Sequence, residues 1–178
     1  LNKIRIAQKV LSLKKLQVNK KILNAILSLG LKKPIESTNP MLMMNDSRVG
    51  NQEQYKSPLH QDFRSMQGSL NSIVVWIPLL DVRDIDGPIE VIPKSHKLGL
   101  LKSKKSKWYR EIDDSSIENM RTEKVLNMQK GDALFFSSLL IHRSGELESE
   151  KNDGGRITIQ LRYNDLNDPF FKKNNYPV

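Results

Sequence analysis

Two side chains that can bind a metal stand two positions apart in His60-Gln61-Asp62. If this stretch is an extended strand, His60 and Asp62 point to one face and Gln61 points to the other. An imidazole nitrogen and a carboxylate oxygen are two of the three ligands in the facial triad that holds non-heme Fe(II) with open positions. We therefore expect a distant histidine to complete the site, and the chain offers only His96 and His142.

His142 lies 82 positions after His60, near the end of an apolar strand predicted at Leu139–Ser144. Only a fold that brings distant strands together can unite the two histidines, and a jelly roll does so. Ser144 shares the face of His142 because it lies two residues further along. Arg156 follows, and its planar guanidinium matches the far carboxylate of an iron-bound 2-oxo acid such as 2-oxoglutarate.

Length, charge and the absence of cysteine limit the class of protein. The 178 residues suit a single domain (1–178) with a sizeable core. Without cysteine, disulfides, zinc–thiolate sites, iron–sulfur clusters and a cysteine nucleophile are excluded, which fits a cytoplasmic location. The net charge of +9 permits an anionic substrate or partner. Because no apolar run approaches the roughly 20 residues that span a bilayer, we expect no membrane span.

The N-terminal part of the chain predicts a basic helix followed by a connector. Apolar residues at near-helical spacing and Gly30 as a stop signal predict a helix from Leu1 to about Lys33. We expect residues 1–33 to cover the outside of a sheet with their Lys face in water, although such a helix could also contact a membrane or nucleic acid. Pro34–Pro40 is predicted to be a polar connector.

From Met41 onward, short apolar runs separated by turn residues predict a β-rich core over residues 41–165. About eight strands and few helices predict a mainly β sandwich or jelly roll with flanking helices. Besides the segment of His60, the predicted strands are Met41–Met44, Ile73–Leu80, Ile89–Ile92, Val125–Met128, Ala133–Phe136, Leu139–Ser144 and Arg156–Tyr163. Residues 100–124, with lysines beside Trp108 and Tyr109, predict a solvated lid loop rather than a nucleic-acid surface.

The last strand predicts a binding cavity. Its side chains alternate between an apolar face, Ile157, Ile159, Leu161 and Tyr163, and a polar face, Arg156, Thr158, Gln160 and Arg162. The apolar face needs a cover, which the N-terminal helix can supply. The polar face then looks into the barrel, where polar groups are costly unless they are paired or contact a ligand.

The same residues form an ordered series of motifs. After His60-Gln61-Asp62 come Trp76-Ile77-Pro78-Leu79, Gly87-Pro88-Ile89-Glu90-Val91-Ile92-Pro93-Lys94-Ser95-His96-Lys97, Gly131-Asp132-Ala133-Leu134-Phe135-Phe136, His142-Arg143-Ser144-Gly145 and Arg156 through Tyr163. This series, from about residue 41 to 165, resembles the phytanoyl-CoA dioxygenase family. An isolated H-x-D motif would be weak evidence, whereas the ordered set is specific.

The resemblance implies a double-stranded β-helix, a cupin-like jelly roll. It also implies an enzyme that uses Fe(II), 2-oxoglutarate and O2 to hydroxylate a small molecule, with release of succinate and CO2. The iron ligands would be His60, Asp62 and His142. Arg156 would bind the 2-oxoglutarate carboxylate with help from Ser144, and the Trp76 strand would form a wall of this pocket. Related halogenases lack the carboxylate ligand, so Asp62 argues for hydroxylation.

The sequence departs from the family pattern at two places. Lys94 replaces the glycine usual in a Pro-Gly-Ser-His turn, and the Glu146–Gly155 loop lengthens the spacing between the second histidine and the arginine. The longer spacing leaves both Arg156 and Arg162 open as the carboxylate anchor, with Arg156 favoured because it is nearer the histidine end of the hairpin. No further 2-oxoglutarate contact could be assigned within Asn45–Ser57.

Structural roles compete with functional ones at several positions. His96 has no carboxylate two positions away and is predicted to be a hydrogen-bonded core residue. Trp76 fits either the core or the pocket wall, and the Ser144 hydroxyl could merely cap the turn at Gly145.

Two other functions remain open on the sequence. Nucleic-acid demethylases of the alkylation-repair type also carry two arginines six apart, but Thr158 stands where they have Asn and the Gly87–His96 segment fits them poorly, so no nucleic-acid partner is expected. The chain could instead be an inactive jelly-roll binding protein that kept the motif by descent. Binding of Fe(II) or Mn(II) would exclude this last function.

Overall fold

The longest strand, β10 (Gly155–Asp165), lies at the centre of the larger of two main sheets. The computed structural model describes residues 10–37, 39–46, 56–106, 109–148 and 155–173. All pairings in this sheet are antiparallel: β10 pairs with β1 (Pro34–Glu36), β2 (Met41–Asp46) and β3 (Ser72–Pro78), and β3 pairs with β8 (Leu134–Ser137).

The smaller sheet has β4 (Ile89–Val91) between β7 (Glu123–Lys124) and β9 (His142–Ser144). A hairpin of β5 (Ser103–Lys105) and β6 (Arg110–Ile112) attaches beside it, where the Ile112 N–H donates to the Leu59 carbonyl. A buried cluster between the two sheets contains Val74, Trp76, Val82, Ile89, Met128 and Phe136. The architecture is the double-stranded β-helix expected from the sequence.

The apolar face of β10 is covered by helices α1 (Leu11–Gln17) and α2 (Lys20–Ser28). Ile22 and Ile26 of α2 pack on Ile159 and Leu161, and the Tyr163 hydroxyl donates to the Gln17 carbonyl at 2.8 Å. The alternation predicted for this strand is therefore confirmed. Its polar side chains lie on the other face, where they line two cavities.

The prediction of one continuous N-terminal helix from Leu1 to Lys33 is wrong, because the described part forms two helices. The described part is broken at Val18, and the side chain of Asn19 caps α2 by accepting the Lys21 N–H at 2.9 Å. An Asn that can cap a new helix competes with continuation of the old one. Residues 1–9 lie outside the described residues.

Other short elements also differ from the sequence predictions. The connector Pro34–Pro40 contains β1, and the strand predicted at Val125–Met128 is replaced by β7 at Glu123–Lys124. Residues 100–124 hold the β5–β6 hairpin and a 3-10 turn at Asp114–Ser116 rather than an irregular loop. Two short helices were not predicted: α3 (Phe63–Met66) and α4 (Pro169–Lys173).

Candidate metal centre and co-substrate pocket

His60 and His142 lie side by side because their backbones form an isolated antiparallel bridge. Their ring centroids are 4.2 Å apart. His60 Nδ1 donates to the Pro58 carbonyl at 2.7 Å, and His142 Nδ1 donates to the Leu140 carbonyl at 3.1 Å. Because a carbonyl only accepts, each Nδ1 carries the proton, and each Nε2 is left as the lone-pair nitrogen that can bind a metal.

Asp62 does not reach the site by the strand geometry predicted from its spacing. Its backbone is helical (φ −64°, ψ −24°), and it is the N-cap residue that immediately precedes α3. The carboxylate nevertheless meets both rings: Oδ1 lies 3.9 Å from His60 Nε2, and Oδ2 lies 3.6 Å from His142 Nε2. The ligand atoms of the three residues all lie within 4.8 Å of one another.

The donor set fits a divalent metal. Asp62 Oδ2 and His142 Nε2 are buried and have no hydrogen-bond partner among the described residues. Unpaired buried polar atoms are costly, so two that face each other indicate a missing partner that binds both. Two imidazoles and one carboxylate are the ligand set of a non-heme Fe(II) site.

Protonation also favours metal binding. Burial and the neighbouring His60 lower the pKa of His142 to about 4, so its ring is neutral near pH 7. Burial alone would raise the pKa of the Asp62 carboxyl, but Arg162 and the two histidines hold it below its ordinary value. At His142 and Asp62, a metal would therefore meet candidate ligand atoms that have no proton to lose.

Gln61 points away from this cluster, as the sequence predicted. Its side-chain amide donates to the carbonyls of Gly99 and Leu139 at 2.8 and 2.7 Å and accepts the Leu101 N–H at 2.9 Å. These three bonds fix the backbone between the two candidate ligands. Gln61 thus has a structural role.

Arg156 lies in the barrel interior at the edge of a narrow cavity of about 20 Å³. Its guanidinium lies 5.4 Å from the ring centroid of Trp76 and donates to the Gly87 carbonyl. Gly87 has φ +66°, and a Cβ there would meet the Gly145 carbonyl at 2.8 Å, so glycine is required. Burial lowers the pKa of Arg156 to about 10, which still leaves it charged near neutral pH.

The other predicted pocket residues border the same cavity. Trp76 belongs to both the core cluster and the cavity wall. Ser144 lines the cavity, and its hydroxyl lies 3.0 Å from the Ser57 hydroxyl. Thr158, which the site prediction missed, also lines it, and its buried hydroxyl has no partner among the described residues. Its position two residues after Arg156 on the polar face was the available signal.

Arg162 lies on the other side of the candidate metal ligands. It lines a larger cavity of about 470 Å³ together with His60, Asp62 and Gln160. Arg162 Nη2 donates to Asp62 Oδ1 at 2.5 Å. The two arginines that the sequence left open as carboxylate anchors therefore differ in surroundings. Arg156 donates to a backbone carbonyl and has the Asp86 carboxylate as a neighbouring charge, whereas Arg162 donates directly to the Asp62 carboxylate.

His96 is not part of the cluster. The prediction of a core position is wrong, because His96 lies exposed in a 3-10 turn at Ser95–Leu98. Ser95 takes the buried place instead, where its hydroxyl accepts the Ile141 N–H at 2.8 Å. Most of the segment Asn45–Ser57, where an upstream 2-oxoglutarate contact could lie, is outside the described residues. Trp108 is also outside them.

Comparison with known proteins defines the class. Residues 3–155 match the family model for phytanoyl-CoA dioxygenase (PhyH), so the chain belongs to this family. It is 30% identical over 138 residues to the peroxisomal phytanoyl-CoA dioxygenase of Mus musculus, covering 72% of this chain and 39% of that protein. The peroxisomal phytanoyl-CoA dioxygenase of Bos taurus is 28% identical over 135 residues, covering 71% of this chain and 39% of that protein. The chain thus spans about 39% of the length of these curated relatives.

Solved structures show the same fold. The epimerase SnoN from nogalamycin biosynthesis, in complex with Fe3+, alpha ketoglutarate and nogalamycin RO, matches with a TM-score of 0.65 at 19% identity, covering 88% of this chain and 61% of that one. The alpha ketoglutarate dependent carbocyclase SnoK, also from nogalamycin biosynthesis, matches with a TM-score of 0.64 at 18% identity, covering 84% of this chain and 57% of that one.

No helix in the described ranges is both long and apolar enough to cross a membrane.

Proposed function

We propose that this protein is an Fe(II)- and 2-oxoglutarate-dependent dioxygenase that hydroxylates a small molecule, releasing succinate and CO2. The observation that carries the proposal is the convergence of His60, Asp62 and His142, with unpartnered atoms of Asp62 and His142 facing each other. When bound there, iron supplies the oxidising chemistry with 2-oxoglutarate and O2. The three side chains would be its ligands, and the carbonyls that accept from the two Nδ1 atoms would keep both Nε2 atoms aimed at it.

Arg156 is proposed to bind the distal carboxylate of 2-oxoglutarate. A buried charged guanidinium is costly, and a ligand carboxylate would offset that cost with two parallel hydrogen bonds. Ser144 and Thr158 would add hydroxyl donors, and Trp76 would support the guanidinium plane. A volume of about 20 Å³ holds roughly one water, so the cavity must widen to admit the co-substrate. The flexible, unbranched side chains of its lining, Met43 and Met44, suit this.

The larger cavity is proposed to take the primary substrate, and its charge favours an anionic one. Arg64, Lys105 and Arg110 line it together with Arg162, whereas Asp62 is its only carboxylate among the described residues. Two of these cations, Lys105 and Arg110, lie on the β5–β6 hairpin, which we propose acts as a lid within residues 100–124.

The organisation of the chain is proposed to be a single oxygenase domain over residues 1–178, with a helical cover at 1–33 and the jelly-roll core at 41–165. The location is proposed to be cytoplasmic, and the lack of cysteine supports this.

Succinate release from a panel of candidate substrates tests the activity. We expect release that requires Fe(II), 2-oxoglutarate and O2 together and that is coupled to consumption of one substrate. Asp62→Ala should abolish it, and the matched control His96→Ala should not. Activity of Asp62→Ala under saturating iron would contradict the proposal.

The same assay tests the charge of the substrate. We expect the double variant Lys105→Gln, Arg110→Gln to raise KM for an anionic substrate about tenfold or more, with KM for 2-oxoglutarate unchanged. Equal KM values in the double variant and the wild type would contradict an anionic substrate. Steeply salt-dependent binding of single-stranded DNA would favour a demethylase instead.

A further inference from the structure

Asp62 presents its two carboxylate oxygens to different partners. Oδ1 accepts a hydrogen bond from Arg162 Nη2 at 2.5 Å. Oδ2 has no partner among the described residues and lies 3.6 Å from His142 Nε2. Both side chains of the ion pair are buried, with 7% of Arg162 and 2% of Asp62 exposed. Oδ1 also lies 3.9 Å from His60 Nε2, but the hydrogen bond from Arg162 already occupies it, so Oδ2 is the oxygen left without a donor.

The guanidinium is held in place by the larger sheet. Arg162 lies on β10 opposite Val74 of β3, and its Nη2 also donates to Gln160 Oε1 at 3.3 Å. Asp62, by contrast, is the N-cap residue of a helix of only four residues that follows an isolated bridge. The rigid strand therefore positions the carboxylate of a less regular segment.

We propose that Arg162 is a positioning residue that makes Asp62 bind the metal through one oxygen, Oδ2, by occupying Oδ1. The proposal rests on the metal site proposed above. A carboxylate can bind a metal through one oxygen or through both. An iron site that must accept a bidentate 2-oxo acid and O2 needs three open positions, and a second carboxylate oxygen would take one of them. A charge-assisted hydrogen bond to Oδ1 keeps that position open.

The test compares Mn(II) binding to the full chain by calorimetry and in crystals of the Mn(II)-loaded protein. The variants are Arg162→Gln, which removes the charge, and Arg162→Lys, which keeps it. The control is Arg83→Gln, because Arg83 also pairs with a buried aspartate, Asp86, at 2.9 Å, but away from the proposed ligands.

We expect Arg162→Gln to bind Mn(II) roughly 10- to 100-fold more weakly, as is typical when a group that orients a metal ligand is lost. Both oxygens of Asp62 should then contact the ion. Arg162→Lys should recover most of the affinity with one-oxygen binding, and Arg83→Gln should match the wild type. A purely structural role would not change the number of carboxylate oxygens on the metal.

Two results would overturn the inference while leaving the metal site intact: an Arg162→Gln protein that binds Mn(II) as the wild type does, through one oxygen of Asp62, or a wild-type crystal in which both oxygens bind. The second result applies even if Arg162→Gln fails to fold. Failure of the wild type to bind Mn(II) at all would instead overturn the proposed function, and this inference with it.

Discussion

His60 and His142 exchange both backbone hydrogen bonds of an antiparallel pair, at N···O distances of 3.0 and 3.1 Å. Side chains of directly opposed residues lie on the same face of a sheet, so the backbone pairing itself brings the two imidazoles together. The pair extends the smaller sheet beyond β9, which carries His142. The spacing of the two candidate nitrogen ligands is therefore set by main-chain geometry.

This pairing leads to a prediction about tautomers. Because the Nδ1 atom of each ring donates to a backbone carbonyl, both histidines should carry the proton on Nδ1 in the metal-free protein. Nitrogen-15 NMR should show two Nδ1–H tautomers whose Nε2 signals shift on addition of diamagnetic Zn(II). The exposed His96 serves as the internal control and should not shift. An Nε2–H tautomer in either of the paired rings would contradict the geometry.

Substitutions of Arg156 and of Arg162 should affect different properties, 2-oxoglutarate binding and metal binding respectively. Arg156→Lys keeps the charge but loses the planar fork, so we expect KM for 2-oxoglutarate to rise about tenfold, equivalent to about 1.4 kcal/mol. Mn(II) affinity should stay the same, because Arg156 does not touch the proposed ligands. Steady-state kinetics and calorimetry measure the two quantities. An Arg156→Lys variant with weakened Mn(II) binding and unchanged KM would reverse the assignment.

Lys94 should be a weak point in stability. It has φ +64° at an exposed turn, in the position where the family usually has glycine. The left-handed conformation costs an L-residue about 1–2 kcal/mol, and glycine loses roughly 0.5–1 kcal/mol in chain entropy. Lys94→Gly should therefore raise the free energy of unfolding by about 0.5–1 kcal/mol in urea titrations.

The neighbouring Lys97 is the matched control for this substitution. It is exposed in the following 3-10 turn and has no positive φ, so Lys97→Gly should destabilise the protein. A loss of stability in Lys94→Gly as large as that in Lys97→Gly would show that the backbone at Lys94 carries no strain.

Asp165 should tie the N-terminal cover to the sheet in a pH-dependent way. Its carboxylate accepts the N–H groups of Lys32, Lys33 and Asn167 at 2.9, 3.0 and 3.0 Å, and the side chain of Asn71 at 3.3 Å. Burial raises the pKa of Asp165, but these hydrogen bonds outweigh it and lower the pKa below its ordinary value. The contribution of Asp165 to the free energy of unfolding is therefore fully present above the ordinary aspartate pKa of about 4. It is lost as the pH falls through the lower pKa of Asp165 in the folded protein.

Asp165→Asn tests this dependence. Loss of charged acceptors should reduce the free energy of unfolding by about 1–3 kcal/mol at pH 7. The difference from the wild type should shrink as the pH falls below about 4, since the wild-type carboxyl then becomes protonated too. Denaturant titrations between pH 3 and 7 measure it. A difference that does not change with pH would assign the effect to packing instead.

Patterns carried by one continuous stretch were predictable from the sequence. The two faces of β10 follow from strict alternation, which depends only on backbone geometry, and they placed Arg156 inside the barrel. The ordered motifs selected His60, Asp62 and His142 from the available acidic and histidine residues. The structure brings these three side chains together.

Elements that depend on a distant partner were not predictable. Strand β1 exists because Pro34–Glu36 pairs with the end of β10, far along the chain. The geometry of Asp62 was missed because two-residue spacing fits a strand, whereas the Phe63–Met66 helix begins there. The contact between Asp62 and Arg162 joins residues 100 positions apart, which no local pattern reports.

The iron content of the protein, reconstituted anaerobically with Fe(II) and freed of unbound metal, tests the central claim most directly. We predict about one iron per chain in the wild type and His96→Ala, and almost none in Asp62→Ala and His142→Ala, with folding of all four checked by circular dichroism. A wild type without iron, or folded Asp62→Ala and His142→Ala variants that retain it, would contradict the claim that these side chains form a metal centre.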